Sequence, residues 1–396
     1  MCKMRRIDNT LLFALCALIV SIAQFDRSLA FGASRLEAFK QRLRSRRHAA
    51  APHALNTDEY LSYDGMLDYL EELSGAYSQR VLLQDVGVTY ENRTLKTITI
   101  TNGDGRTGKK AIFVAAGAHA REWLTPVAAL YTVEQLVVNN ELHAHLLKDY
   151  DWTIMPLVNP DGYTYSRTVD KWWRNTRSPN GGNCFGTNIN RNYDIGWQHG
   201  YEELTDPCHD HYAGREPFSE PEARAVRDIM LDLVHAGRAV MFISLHSHHT
   251  SVFYPWVYKD SPADNSKELR EVAQFGAKAM RKATGTEFTY EQVGLTDPFG
   301  GTSLDYAYSI GFPLSFALEL SGERRGDTFD FWPPTALLKE LADESWVGIS
   351  AMAEKAIELY PLSRSTSAAS HSSSPFSLAN IMKILLLLTA ISLCSR

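Results

Sequence analysis

KAIFVAAGAHAREW, residues 110–123, joins two unlike halves. Ala111 to Ala116 is a continuous apolar run, and Lys110 to Ala116 is expected as a buried strand. Directly beyond it stand His119 and Glu122, three apart. Two readings of that pair are open: ordinary loop residues, or two thirds of a zinc site. H-x-x-E alone is a short and weak motif.

The same pattern repeats outward from this stretch. Strand-like runs at 96–101, 152–157, 239–245 and 313–318 alternate with helical spacing at 63–77, 126–138, 267–283 and 337–359. Pro126 suits a first helical turn. Ser219-Glu220-Pro221-Glu222 reads as a capping box opening a helix to about Leu233. No repeat or internal linker interrupts the alternation. The expected fold is α/β: one domain, a mixed, mostly parallel twisted sheet, helices on both faces.

Each buried strand runs into polar residues. The exits are His119 and Glu122, then Asn159-Pro160-Asp161-Gly162, then His246-Ser247-His248, then Glu319. Open α/β sheets bind ligands beyond the carboxyl ends of their strands. Core packing does not need His, Glu, His and Glu at four such places.

The two ends read as processing segments. A basic start, a 13-residue apolar core from Leu11 to Ala23 and Ser28-Leu29-Ala30 resemble a secretory signal over 1–30, with an uncleaved signal anchor as the alternative. Residues 31–47 form a short basic pro-segment or linker. The Arg44-Ser45-Arg46-Arg47 end is either a convertase site or a solvated charge run. The main domain is expected over 48–362 and a Ser-rich stalk and spacer over 363–380. An apolar tail over 381–396 has the layout of a GPI signal. Its 14-residue core, Ile381 to Cys394, falls short of the roughly 20 residues that a membrane helix, the other reading, requires.

The first 47 residues carry ten Lys/Arg against three Asp/Glu, and residues 370–396 two against none. The intervening 322 residues therefore carry −15 of the whole-chain −6. That body has no electrostatic footprint for nucleic acid. Cys2, Cys16 and Cys394 leave with the two ends. Cys184 and Cys208 remain, one disulfide in a secreted chain or two free thiols. Asn92-Arg93-Thr94 is an N-glycosylation sequon.

Two imidazoles and a carboxylate from His119, Glu122 and His246 would leave one position for water, the layout of a catalytic zinc. Glu319 would then suit a general base. The fixed cation that an oxyanion requires would come from Arg174, Arg177 or Arg191. Each residue also has an ordinary reading as a structural histidine, a salt-bridge partner or a loop charge.

The joint occurrence of His119-Ala120-Arg121-Glu122-Trp123, Asn159-Pro160-Asp161-Gly162-Tyr163, Asn190-Arg191-Asn192 and His246-Ser247 resembles the zinc metallocarboxypeptidases of the A/B, pancreatic-type subfamily. The resemblance spans about Tyr60 to Tyr360. It implies one zinc per chain on His119, Glu122 and His246. It implies Glu319 as base, Arg177 as the oxyanion cation, and Asn190 with Arg191 as the grip on a substrate's C-terminal carboxylate. Arg121, Arg174, Ser247 and His248 match positions along the cleft, and Cys184 and Cys208 match the family disulfide. Leu304, in Gly301-Thr302-Ser303-Leu304-Asp305-Tyr306, matches the residue that sets specificity. Leucine there implies aromatic or aliphatic C-terminal residues, and Asp305 belongs to the family frame.

Three positions depart from that pattern. Asp297 replaces a tyrosine on a loop that closes over substrate, His248 replaces a tyrosine, and Asn188 replaces the carboxylate that orients the first zinc histidine. A folded pro-domain is usual in the subfamily, and residues 31–47 are too few to make one. That architecture, with the C-terminal tail, resembles the subfamily's membrane-anchored member. The expected function is zinc-dependent removal of apolar C-terminal residues from peptides at the cell surface. The alternatives are a zinc- or peptide-binding homologue without efficient catalysis, and a zinc amidohydrolase of small acylated amino acids. Oligomeric state is not legible.

Overall fold

The computed structural model describes residues 53–325 and 328–362. The expected signal, basic segment, stalk and tail lie outside the described residues. Helices are α1 (Tyr63–Ala76), α2 (Leu124–Val137), α3 (Asn140–His143), α4 (Pro160–Thr168), α5 (Pro221–His235), α6 (Ser266–Thr284), α7 (Ser303–Ile310) and α8 (Thr335–Leu359). The main strands are β1 (Val81–Val88), β2 (Thr94–Ile100), β3 (Lys110–Ala115), β4 (Tyr150–Met155), β5 (Ala239–Ser247), β6 (Ser251–Phe253), β7 (Thr289–Glu291) and β8 (Leu314–Leu320). They form one sheet in the order β1-β2-β4-β3-β5-β8-β6-β7. The pairs β4–β3, β3–β5, β5–β8 and β6–β7 are parallel, and β1–β2, β2–β4 and β8–β6 are antiparallel. A small hairpin, β9 (Glu323–Arg325) with β10 (Thr328–Asp330), stands apart from that sheet.

β3 shows why the sequence takes this form. Ile112 and Val114 pack into the core cluster that includes residues of α2, α6 and α8, while Ala111, Phe113 and Ala115 join the cluster of α5 and α7. Successive side chains point to opposite faces. A strand apolar at every position is therefore buried on both sides, as a central parallel strand requires. α4 starts on Asn159, whose side chain accepts from the Gly162 N–H, with Pro160 in the first turn.

Two local expectations need correction. The strand expected at 152–157 begins two residues earlier and ends at Met155. The capping box at 219–222 does not form. Glu220 is the N-cap and makes no side-chain cap bond. Its carboxylate instead accepts from Thr176, Ser178 and Ser219, and Glu222 is buried.

Candidate metal centre and active site

β3, β5 and β8 deliver their carboxyl ends to one place. After β3 the chain turns at Gly117, with φ 68°. A Cβ there would fall 2.7 Å from Leu157 Cδ1, so both conformation and space call for glycine. His119 and Glu122 follow before α2 begins. His246 lies near the end of β5, in register with Glu319 of β8. His119, Glu122 and His246 are buried. One ligand atom from each lies within 4.8 Å of the others.

Glu122 Oε1 is 2.7 Å from His119 Nδ1, Oε2 is 3.1 Å from His246 Nδ1, and the two Nδ1 atoms are 3.2 Å apart. His119 turns its Nε2 to Asn188 Oδ1 at 3.1 Å. An amide oxygen only accepts, so Nε2 holds the proton and Nδ1 a lone pair. His246 Nε2 lies 2.9 Å from Ser244 Oγ and 3.5 Å from Asn190 Nδ2. The Ser247 N–H donates to Glu122 Oε2 at 3.2 Å and fixes the carboxylate. Two imidazole nitrogens and a carboxylate converging in a buried spot call for a cation among them, and this N,N,O set fits zinc.

The electrostatics agree. Burial, helped by the Arg174 guanidinium, pushes His119 down to about 3, so it stays neutral. Burial opposes ionisation of Glu122, but the two imidazoles outweigh it and hold the carboxyl well below its usual range. Burial would lower His246, yet the Glu122 carboxylate raises it. Glu319 is pushed up to about 7, chiefly by burial, with His246 opposing and Glu122 adding to the rise.

Of the two arginines three apart, the structure brings Arg174 to the triad. Its Nη1 is 3.5 Å from Glu122 Oε1 and its Nε is buried without a hydrogen-bond partner. Arg177, expected there from the resemblance, lies elsewhere. Its guanidinium carbon sits 3.7 Å from the Tyr165 ring centroid, 4.5 Å from Trp173 and 5.1 Å from Phe185, and its Nε pairs with Glu91 at 3.7 Å. The backbone explains the exchange. The Ala120 N–H donates to the Arg174 carbonyl at 2.9 Å, tying residue 174 to the ligand loop. By Thr176 the chain has turned to pair with Thr187.

Asn190 Oδ1 accepts from the N–H and hydroxyl of Ser303 at 2.9 and 3.1 Å. Arg191 is buried, donates Nη1 to the Asn190 carbonyl at 2.7 Å and leaves Nε without a hydrogen-bond partner. Burial, then the neighbouring Arg174, pushes its guanidinium down to about 9. A buried cation of this kind favours an anion. Leu304 is buried at the start of α7, packed with Val257 and Ala317 and against Phe253, Val293 and Phe299. Asp305 turns its carboxylate to the Val257 and Tyr258 N–H groups at 2.9–3.0 Å, a structural use. Arg121 Nη1 donates to the Trp172 carbonyl at 3.1 Å and to Asp210 at 3.0 Å. His248 is half-buried, its ring 4.4 Å from that of Phe331. Cys184 and Cys208 form a disulfide with Cα atoms 4.7 Å apart. Sequence reading missed Ser244, which meets His246 Nε2. Ser244 had a signal, because residues two apart on a strand share a face.

Comparison with known proteins agrees with this geometry. Residues 66–348 match the zinc carboxypeptidase family. Carboxypeptidase B of Helicoverpa zea is 33% identical over 322 residues, covering 78% of this chain and 73% of that protein. Carboxypeptidase O of Bos taurus is 30% identical over 319 residues, covering 77% of this chain and 82% of that one. The crystal structure of carboxypeptidase A from Helicoverpa armigera superposes with a TM-score of 0.72 at 26% identity, covering 82% and 81%. The chain belongs to the zinc carboxypeptidase family. It is a zinc-dependent metallocarboxypeptidase, an exopeptidase of peptide C-termini.

Proposed function

We propose that this enzyme removes apolar C-terminal residues from peptides, with His119, Glu122 and His246 holding zinc, Glu319 as general base and Arg174 as the oxyanion cation. The observation that supports this most is the buried Arg191, its Nε without a partner, next in sequence to Asn190, whose amide reaches His246 of the triad. Arg191, with Asn190, suits the grip on a terminal carboxylate by charge-assisted bonds. That grip limits the reaction to the last peptide bond by positioning it.

When bound, zinc polarises the carbonyl and acidifies water. Glu319 takes the proton from the attacking water and passes it to the leaving amine. Arg174 faces the charge that develops on the carbonyl oxygen. Ser247 keeps Glu122 oriented, and Asn188 keeps His119 in the right tautomer. Leu304 offers an apolar side chain where a charged one would select charged substrates.

The chain ends support a secreted route: a signal over 1–30, a basic segment over 31–47, and a C-terminal tail exchanged for a GPI anchor on the cell surface. Among the described residues no helix is long and apolar enough to cross a membrane. Asn92, exposed in the β1–β2 turn, is the proposed glycosylation site.

The test is release of C-terminal Leu, Phe, Lys and Glu from matched blocked peptides, with and without chelator and with Glu319→Gln. Chelator-sensitive release of Leu or Phe, lost in the variant, is expected. Preference for Lys or Glu would overturn the pocket assignment. No turnover by folded, zinc-loaded protein would favour a peptide-binding role, to which Asp297 and His248 would then point.

A further inference from the structure

We propose that Phe299 closes the apolar nest around Leu304 and restricts the C-terminal residue to small aliphatic side chains, excluding aromatic rings. This rests on the reading of that nest as the specificity pocket. Leu304, Val257 and Ala317 are only 2, 3 and 6% exposed, because Phe253, Val293 and Phe299 pack on them. The space beside Leu304 is thus already occupied by side chains. A ring entering it has to displace one of them, whereas a methyl or isopropyl group needs far less room.

Phe299 stands between the nest and the carboxylate grip. Its ring lies 4.0 Å from the Arg191 guanidinium carbon and is stacked on Tyr201, with centroids 6.1 Å apart and planes at 30°. A substrate whose carboxylate meets Arg191 therefore presents its C-terminal side chain to Phe299. The ring is also hard to move. The N–H groups of Phe299, Gly300 and Gly301 donate to Val257, His199 and Ile195 at 3.2, 2.9 and 2.7 Å. A Cβ on Gly300 would fall 1.8 Å from the Gly196 carbonyl oxygen, and one on Gly301 2.1 Å from that of Arg191. The loop thus lies on its neighbours at a distance that only glycine permits. Tyr201 braces it a second time, through the stack of its ring on that of Phe299.

The test is kcat/KM of the full-length, zinc-loaded protein on matched blocked peptides ending in Ala, Val, Leu, Phe and Trp. Wild type is compared with Phe299→Ala and with the milder Phe299→Leu, which keeps the measurement available if the alanine variant folds poorly. The expected result is Val over Phe by about tenfold or more in wild type, the scale on which pockets resolve size. The Phe-to-Val ratio should rise by a similar factor in Phe299→Ala and by less in Phe299→Leu. Wild type releasing Phe or Trp as fast as Val overturns the proposal, and so does a ratio that neither variant changes while Val is still released. Preferential release of Lys or Glu would instead overturn the nest as specificity pocket. No release from any peptide would overturn the enzymatic reading itself.

Discussion

His246 and Glu319 face one another in register across the parallel strands β5 and β8. Strand pairing therefore sets a metal ligand beside the proposed base, and no loop motion is needed to bring them together. Rigid elements hold catalytic groups more tightly than loops do.

Glu319→Gln should lower kcat by roughly 10²–10⁴ with zinc content unchanged. The pH profile follows from the same residue. Burial pushes its carboxyl up to about 7 in the metal-free protein. A base acts only when ionised, so kcat/KM falls as pH drops through that pKa. Zinc, a cation, favours the ionised form, so the acid limb of the zinc enzyme lies below 7. A limb of unchanged position in the residual activity of Glu319→Gln would contradict the assignment.

Arg174→Ala should reduce kcat by roughly 10²–10³ with a smaller change in KM, as expected for charge met only in the transition state. Arg177→Ala should leave kcat near wild type and lower the melting temperature, since its contacts are the Tyr165, Trp173 and Phe185 rings. Steady-state kinetics of the two variants side by side decide between them. The reverse pattern would restore Arg177 to the oxyanion role.

Asn188→Ala should weaken zinc binding by about 10–100-fold, the usual effect of removing a group that orients a ligand histidine. Asn188→Asp should bind zinc at least as tightly as wild type, because a carboxylate raises imidazole basicity more than an amide does. Competition with a chromogenic chelator measures both. Equal affinity in wild type and Asn188→Ala would show that the 3.1 Å contact to His119 has no influence on the metal.

Asp305→Ala should destabilise the fold by about 1–3 kcal/mol, because the Val257 and Tyr258 N–H groups lose their buried acceptor. Chemical denaturation checks this. A preference for basic C-termini in wild type, lost in this variant, would instead make Asp305 a specificity residue.

The fold was legible where burial and periodicity coincide. β3 reads as a buried strand because each of its residues from Ala111 to Ala115 faces a core. β1 was not legible, since its exposed and half-exposed residues follow no alternation at the sheet edge. α4 and α7, nine and eight residues long, are too short to declare a helical period. Strand exits marked where the metal triad stands, and its ligand role was legible only through the joint motifs that carry the family resemblance. The choice between Arg174 and Arg177 was not, because which of two guanidinium groups three residues apart turns inward depends on the backbone path between Ala120 and Thr187.

The most direct test follows a single peptide and its C-terminal amide by mass spectrometry during incubation with the zinc-loaded protein. The free acid should lose residues one at a time from its C-terminus, and a chelator should stop the loss. The amide, which lacks the anion that Arg191 is placed to receive, should react at least about a hundredfold more slowly, the scale of a lost hydrogen-bonded charge pair. Equal cleavage of acid and amide, or cuts within the chain, would contradict the account.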